Sequence, residues 1–275
     1  MKHITLLGLA AACTCTPAFS DWIQIGVPAN SSQTLSTTGQ SLNFTDPGRP
    51  GTGTFTLTGT SGTAGGAVIG RDFGFYPTGF FSNFPANGLN PTDADQFVVG
   101  TVSGCSGTAF CNVSGVWDFT GIGGGFLPAG SDFVISDLDV FESLSSLNAT
   151  AFAPISGDVS WLQFIGQFDG DGSATSIGTN PTLSSHYATF STSGSGMLTY
   201  TFTSPSINTD VPVLHFRTTV DISTISFDGG TQFGNRGYGF AIQSTDTPEP
   251  STWGMASVAA LAFVALARRR PGSMS

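Results

Sequence analysis

The segment DLDVFE holds three carboxylates, Asp137, Asp139 and Glu142, at a spacing that a bulged β-strand can turn onto one face. Two such groups about 5 Å apart split a glycosidic bond with retention, one as nucleophile and the other as acid/base. Simple alternation gives the segment a competing reading. In DFVISDLDVF, Val134, Leu138 and Val140 then point inward while Asp137 and Asp139 meet solvent. A second oxygen-rich stretch, Asp169-Gly170-Asp171-Gly172-Ser173, has the donors of a hard cation site, so Asp169 and Asp171 are candidate calcium ligands. The stretch puts Asn180 where a bidentate Glu would complete an EF-hand loop, and no helical pattern flanks it. A solvated turn therefore competes with the metal. Asp93 and Asp95 form a similar pair. No other cofactor is implied.

Nucleophilic catalysis has less to work with. His186 and His215 each lie in a strand-like run and read as structural, and the chain has no Gly-x-Ser-x-Gly elbow. GIGGGF, residues 121–126, lacks the Lys-Ser/Thr pair and the helix of a phosphate loop, and reads as a flexible connection. Sugar recognition has candidates in Tyr76, Trp117, Trp161, Tyr187, Tyr200 and Tyr238, whose rings would stack on pyranose faces if exposed. The aromatic-dense stretch RDFGFYPTGFFSNFP, residues 71–85, is either a loop with unusual apolar surface or a segment tucked beneath the core.

The order of acids in DLDVFE resembles the Glu-x-Asp-x-x-Glu signature of jelly-roll glycoside hydrolases of the laminarinase type. That resemblance covers six residues and implies Asp137 as nucleophile, Asp139 as its helper and Glu142 as acid/base. Asp137 departs from the signature, being one methylene shorter than the Glu expected there.

These side chains have to be carried by strands. Charged residues are 9% of the 275, Gly counts 37 and Phe 24, a composition unlike that of helical proteins. Short runs of β-type pattern recur between Gly, Pro, Asn and Asp clusters: TGTFTLTGT, DQFVVGTVSG, NVSGVWDFTG, SDFVISDLDVF, SWLQFIGQF, HYATFSTSG, GMLTYTFTS, VPVLHFRTTVDISTISF and YGFAIQ. The pattern predicts an all-β fold, an antiparallel β-sandwich or jelly roll. In GMLTYTFTS, Leu198, Tyr200 and Phe202 share an apolar face and Met197, Thr199, Thr201 and Thr203 the opposite one. Asp228-Gly229 in FDGGTQF supplies the positive φ values of a tight hairpin turn. No fixed-period repeat or charged linker divides residues 21–246, which read as one domain.

Both ends read as targeting segments. Lys2, the apolar run 4–12 and Ala18-Phe19-Ser20 form a secretory signal peptide, residues 1–20. Its removal leaves Cys105 and Cys111 of CSGTAFC, which in an exported chain are expected to form a local disulfide. Between the two ends stand 17 acidic and four basic residues, a formal charge of −13 that repels phosphate backbones and argues against nucleic acid. Residues 253–267 carry no charge and precede Arg268, Arg269 and Arg270. As a helix they would reach about 22 Å, a marginal span of a hydrocarbon core about 30 Å thick, with the arginines as a cytoplasmic stop.

Pro248-Glu249-Pro250-Ser251-Thr252-Trp253, then the apolar run, then the arginines, resembles the PEP-CTERM sorting signal of Gram-negative surface proteins. The resemblance covers residues 247–275. It implies a C-terminal transmembrane helix, transient insertion in the inner membrane, recognition of Pro248, Glu249 and Pro250 by an exosortase, and release to the cell surface or extracellular matrix. Proteins with this tail accompany exopolysaccharide production. The expectation is thus a non-enzymatic surface or exopolysaccharide-associated structural protein. A carbohydrate-binding module is the alternative, and a glycoside hydrolase using Asp137 and Glu142 comes after it.

Overall fold

The computed structural model describes residues 21–26, 31–34, 39–61, 67–71, 97–101, 111–136, 138, 140, 142–169, 188–204, 212–231 and 236–245. Residues 20–246 form one compact unit. The described strands are β1 (Asp21–Trp22), β2 (Gln24–Ile25), β3 (Ser31–Thr34), β4 (Gln40–Asp46), β5 (Arg49–Ser61), β6 (Ala67–Arg71), β7 (Phe97–Thr101) and β8 (Cys111–Asp118). They continue with β9 (Asp132–Ser136), β10 (Glu142–Ala151), β11 (Leu162–Asp169), β12 (Thr189–Ser193), β13 (Thr199–Thr203), β14 (Pro212–Thr218), β15 (Ile222–Thr231) and β16 (Arg236–Ser244). No helix occurs among the described residues.

Every pairing between these strands is antiparallel, and they form two eight-stranded sheets. Sheet A runs β11-β14-β9-β16-β7-β6-β3, with β1 also on β16; sheet B runs β12-β13-β10-β15-β8-β5-β4-β2. The all-β expectation therefore holds, and the two sheets share one core in a sandwich-like arrangement. At its centre the Trp117 ring stacks on Phe55 at 4.6 Å and meets Phe227 of its own sheet at 5.3 Å, with Phe240 and Phe133 of sheet A at 4.9 and 6.1 Å. A second ring cluster joins Trp161, Phe164 and Phe216 of one side to Phe190, Tyr200 and Phe202 of the other. Each buried ring contributes about 2 kcal/mol from area alone, and leucine and isoleucine side chains fill the space between the rings.

Period-two patterning explains most faces. In β4 and β5, Leu42, Phe44, Phe55 and Leu57 are buried while their neighbours face water. Tyr200 and Phe202 go inward and Thr201 and Thr203 outward, as expected. Met197 departs from its expected face because it precedes β13: its backbone bridges Val159 and its side chain packs on the core. The run VPVLHFRTTVDISTISF is two strands in different sheets, β14 and β15, with the chain crossing between layers at residues 219–221.

Strand β9 corrects the alternation expected for DFVISDLDVF. All five of its residues are buried. Phe133 and Ile135, with Leu138 beyond the strand, enter the core between the sheets, whereas Val134 is buried on the opposite face. The strand lies between β14 and β16, and both of its faces are covered, so even its polar ends, Asp132 and Ser136, are enclosed.

GIGGGF is not a flexible connection. Ile122 N–H donates to Phe119 O at 3.0 Å, Gly125 N–H to Ile122 O at 2.7 Å and Gly123 N–H to Pro50 O at 2.5 Å, so the segment is an ordered turn seated on the β4–β5 hairpin. Gly124 and Gly125 take φ of +89° and +77°, the left-handed region that glycine enters without strain. That hairpin turns at Pro47-Gly48, where Asp46 accepts from Gly48 N–H at 3.2 Å and from Arg49 Nε at 2.8 Å. Arg49 Nη1 donates to the carbonyls of Gly123 and Phe126, at 3.1 and 2.5 Å, and its guanidinium lies 5.8 Å from the Phe126 ring centre. One buried arginine thus ties two turns together.

Candidate functional site

The carboxylates singled out from sequence do not share one setting. Glu142 opens β10, opposite Thr231, and is buried on the face that also carries Leu144 and Leu147 into the core. Its charge acts on Tyr238, whose phenol is held far above the ordinary tyrosine value first by complete burial, then by Glu142, then by Asp228. Asp137 and Asp139 lie outside the described residues, as do Asp93, Asp95, Asp171, Cys105, His186, the signal segment 1–20, Pro248, Glu249, Pro250, the apolar run 253–267 and Arg268, Arg269 and Arg270. Asp169 ends β11, its backbone opposite Pro212, and Cys111 begins β8, opposite Thr231.

The aromatic platform proposed for sugars is corrected by packing. Trp117, Trp161, Tyr200 and Tyr238 are each no more than 1% exposed. Tyr200 spends its hydroxyl on the backbone, donating to Leu162 O at 2.7 Å and accepting from Leu162 N–H at 3.1 Å, with Ser160 Oγ at 2.6 Å. Burial raises its pKa, and these hydrogen bonds only partly offset the rise. Trp161 Nε1 donates to Leu198 O at 2.9 Å. Tyr76 and Tyr187, and nearly all of the aromatic stretch 71–85, lie outside the described residues.

His215, read from sequence as a strand histidine, is buried. It sits in β14 beside Val134 of β9, and its Nε2 meets Asp132 Oδ1 at 2.9 Å. Arg217 Nε donates to the same oxygen at 3.0 Å. The carboxylate of Asp132 is nearly buried, and both partners satisfy its Oδ1 inside a strand that is covered on both faces.

The outer face of sheet B carries the arrangement that sequence reading missed. Strand registers align mostly hydroxyl-bearing residues in rows across it: Ser41, Thr56, Ser226 and Asn148 with the exposed Val116 in one, Thr58, Ser114 and Ser146 with Asp228 in the next. Ser41 and Thr56 hydrogen-bond at 2.7 Å, Thr224 Oγ1 donates to Thr150 Oγ1 at 2.9 Å, and Thr199 Oγ1 to Asn148 Oδ1 at 2.5 Å. Asp228 stands in the centre. Its Oδ1 accepts from Ser114 Oγ at 2.5 Å, its Oδ2 from Ser146 Oγ at 2.9 Å, and its carbonyl from Ser145 Oγ at 3.0 Å. Around it opens a groove of about 440 Å³ lined by Asn112, Val113, Ser114, Ser143, Ser145, Asp228 and Gly229.

Asp228-Gly229 is therefore mid-strand and not a hairpin turn. Asp228, Gly229 and Gly230 pair with Ser114, Val113 and Asn112 of β8, and on the other side with Ser146, Leu144 and Ser143 of β10. Glycine is needed at 229 for closeness, not for positive φ: a Cβ there would run into the Tyr238 hydroxyl and the Ser143 carbonyl. The fully buried Tyr238 Oη has no hydrogen-bond partner among the described residues. A register slip at Ser145, between the Leu144 and Ser146 pairings, turns both Ser145 and Ser146 toward Asp228.

Chemically, this face is rich in hydroxyl donors and acceptors, with one carboxylate held in place by serines. No protein family, curated protein or solved structure matches the chain.

Proposed function

We propose that the chain is a non-enzymatic, exported surface protein, a β-sandwich that an exosortase releases from a transient C-terminal transmembrane helix into the cell surface or exopolysaccharide matrix. The address rests on the sequence of the tail, Pro248-Glu249-Pro250 followed by the apolar run and Arg268-Arg269-Arg270. The observation that carries the role is the outer face of sheet B, where serine, threonine and asparagine side chains surround two carboxylates, Asp118 and Asp228, and one exposed valine, Val116. Such a face exchanges hydrogen bonds with hydrated, polyhydroxylated polymer at little desolvation cost and does not offer the apolar patch of a tight protein interface. Glu142 facing the core supports the same reading over glycosidic hydrolysis, because a general acid has to reach its substrate.

The test is made in the native host, by intact mass and membrane partitioning of the protein and of a variant with Pro248, Glu249 and Pro250 changed to alanine. Loss of the tail from the native form, with the variant retained full-length in the inner membrane, supports the proposal. Retention of Arg268–Arg270 in both forms makes the tail a plain anchor and sinks it.

A further inference from the structure

We propose that the groove around Asp228 is a binding site for one sugar unit of a neutral polysaccharide. The inference deepens the reading of the chain as a matrix-associated protein. Three strands build the groove, β8, β10 and β15, and each contributes a different piece. Gly230 pairs with Asn112 on one side and Ser143 on the other and puts no side chain between them, which leaves a depression in an otherwise continuous row. The Ser114-Asp228-Ser146 row closes one side of it. At about 440 Å³ the space falls within the usual range of small-ligand sites.

The polar groups define what fits. Each carboxylate oxygen of Asp228 accepts one serine hydroxyl and has a further lone pair free for a donor from outside. Ser114 and Ser146, having donated their protons to Asp228, present oxygen lone pairs only. Ser145 is likewise committed as a donor, to the Asp228 carbonyl. The wall around Asp228 is thus a fixed array of acceptors, oriented before any ligand arrives. Such an array selects a ligand carrying several hydroxyl donors at neighbouring positions, the pattern of vicinal ring hydroxyls. A phosphorylated or uronic sugar is disfavoured by the carboxylate and by the −13 formal charge of the region between the two targeting segments. A calcium ion fits less well, since it takes six to eight oxygens, usually with several carboxylates, and of the lining residues Asp228 alone carries one. No aromatic ring lines the groove, so hydrogen bonding without stacking makes each contact weak and sharply dependent on the acceptors. A polymer that engages many copies of the protein compensates by multivalency.

The experiment uses the full-length chain in mild detergent and native affinity electrophoresis through gels containing a soluble β-glucan, an α-glucan or a galactomannan. Retardation by at least one polymer is expected, with its apparent affinity falling at least tenfold in Asp228→Asn and in Ser145→Trp, which fills the groove from its exposed rim. Gln163→Ala, exposed on β11 of the other sheet, should bind as the parent does. Unchanged thermal midpoints show that the variants fold. Three results overturn the proposal: no retardation by any of the three polymers, equal retardation of parent and both groove variants, or retardation abolished by EDTA and restored by calcium chloride. A failure here, with tail processing intact, leaves the surface address standing. Unprocessed tail with groove-dependent retardation has the opposite meaning.

Discussion

Tyr238→Phe removes one oxygen that is fully buried, lacks a hydrogen-bond partner among the described residues and ends against the backbone of Gly229. An interior hydroxyl left unpaired costs about 1–3 kcal/mol of desolvation. The void left by its loss is roughly 10 Å³, which at about 24 cal/mol per Å³ is worth only about 0.2 kcal/mol. The variant is therefore expected to be more stable at neutral pH, by about 1–2 kcal/mol. The same residue sets an alkaline limit. Its pKa is raised well above the ordinary 10.0, by burial first and then by Glu142 and Asp228. Above that ordinary value the unfolded chain releases this proton while the folded protein keeps it, so the folded state binds more protons and stability falls as pH rises. The contribution is complete below about pH 10 and declines above it by about 1.4 kcal/mol per pH unit. The phenylalanine variant lacks that component. Urea unfolding followed by tryptophan fluorescence, at pH 7 and in steps through the alkaline range, measures both effects. A less stable variant at pH 7 would mean that the hydroxyl makes a valuable hydrogen bond; alkaline slopes equal to those of the parent would mean that Tyr238 ionises when folded. Either result refutes the packing described for Gly229 and Tyr238.

Gly229→Ala should cost at least about 2 kcal/mol, because the new methyl meets the Tyr238 hydroxyl and the Ser143 carbonyl, and adding Tyr238→Phe should restore only part of it. Full tolerance of the alanine by thermal unfolding would show that the close approach is not real. Arg49→Met should cost about 3 kcal/mol by leaving Asp46 buried without its cation and freeing the Gly123 and Phe126 carbonyls; a loss below about 1 kcal/mol in urea unfolding contradicts that role. Cys105 and Cys111 are expected to be bridged, so the native-host protein should gain alkylation mass only after reduction, and the paired serine variant should lose about 2 kcal/mol. Free thiols before reduction would remove the staple from the account.

The layered β fold was legible because its signal is local. Phe55 and Leu57, or Tyr200 and Phe202, declare their face by alternation within one strand, and the abundance of rings in the core follows from a composition with 24 Phe. Where expectation and structure part, the deciding partner is distant. Trp117 and Trp161 look like available sugar platforms in a chain with few charges, yet they are the first rings a two-sheet core consumes, since no other side chain fills as much volume. Strand β9 defeats alternation because it has covered neighbours on both faces, a property of its place in the sheet and not of its own residues.

Asp228-Gly229-Gly230 shows why the groove stayed hidden. Asp-Gly signals a turn because glycine tolerates positive φ, but glycine also appears wherever another group approaches too closely for a Cβ, and the two reasons leave the same letters in the sequence. What separates them is the reach of the flanking pattern. Ile222, Ile225 and Phe227 before the glycines, and Thr231 after them, continue as one strand with partners on both edges, β8 and β10, and a strand hydrogen-bonded on both edges cannot turn in its middle. The glycine at 229 has to answer to a neighbour, Tyr238 from the opposite sheet, while the one at 230 leaves open the space between Asn112 and Ser143 of the flanking strands. Because those neighbours come from separate strands across more than a hundred residues, no spacing rule along the chain could assemble them. The serines that fix Asp228, at 114 and 146, are reached only once the register is known.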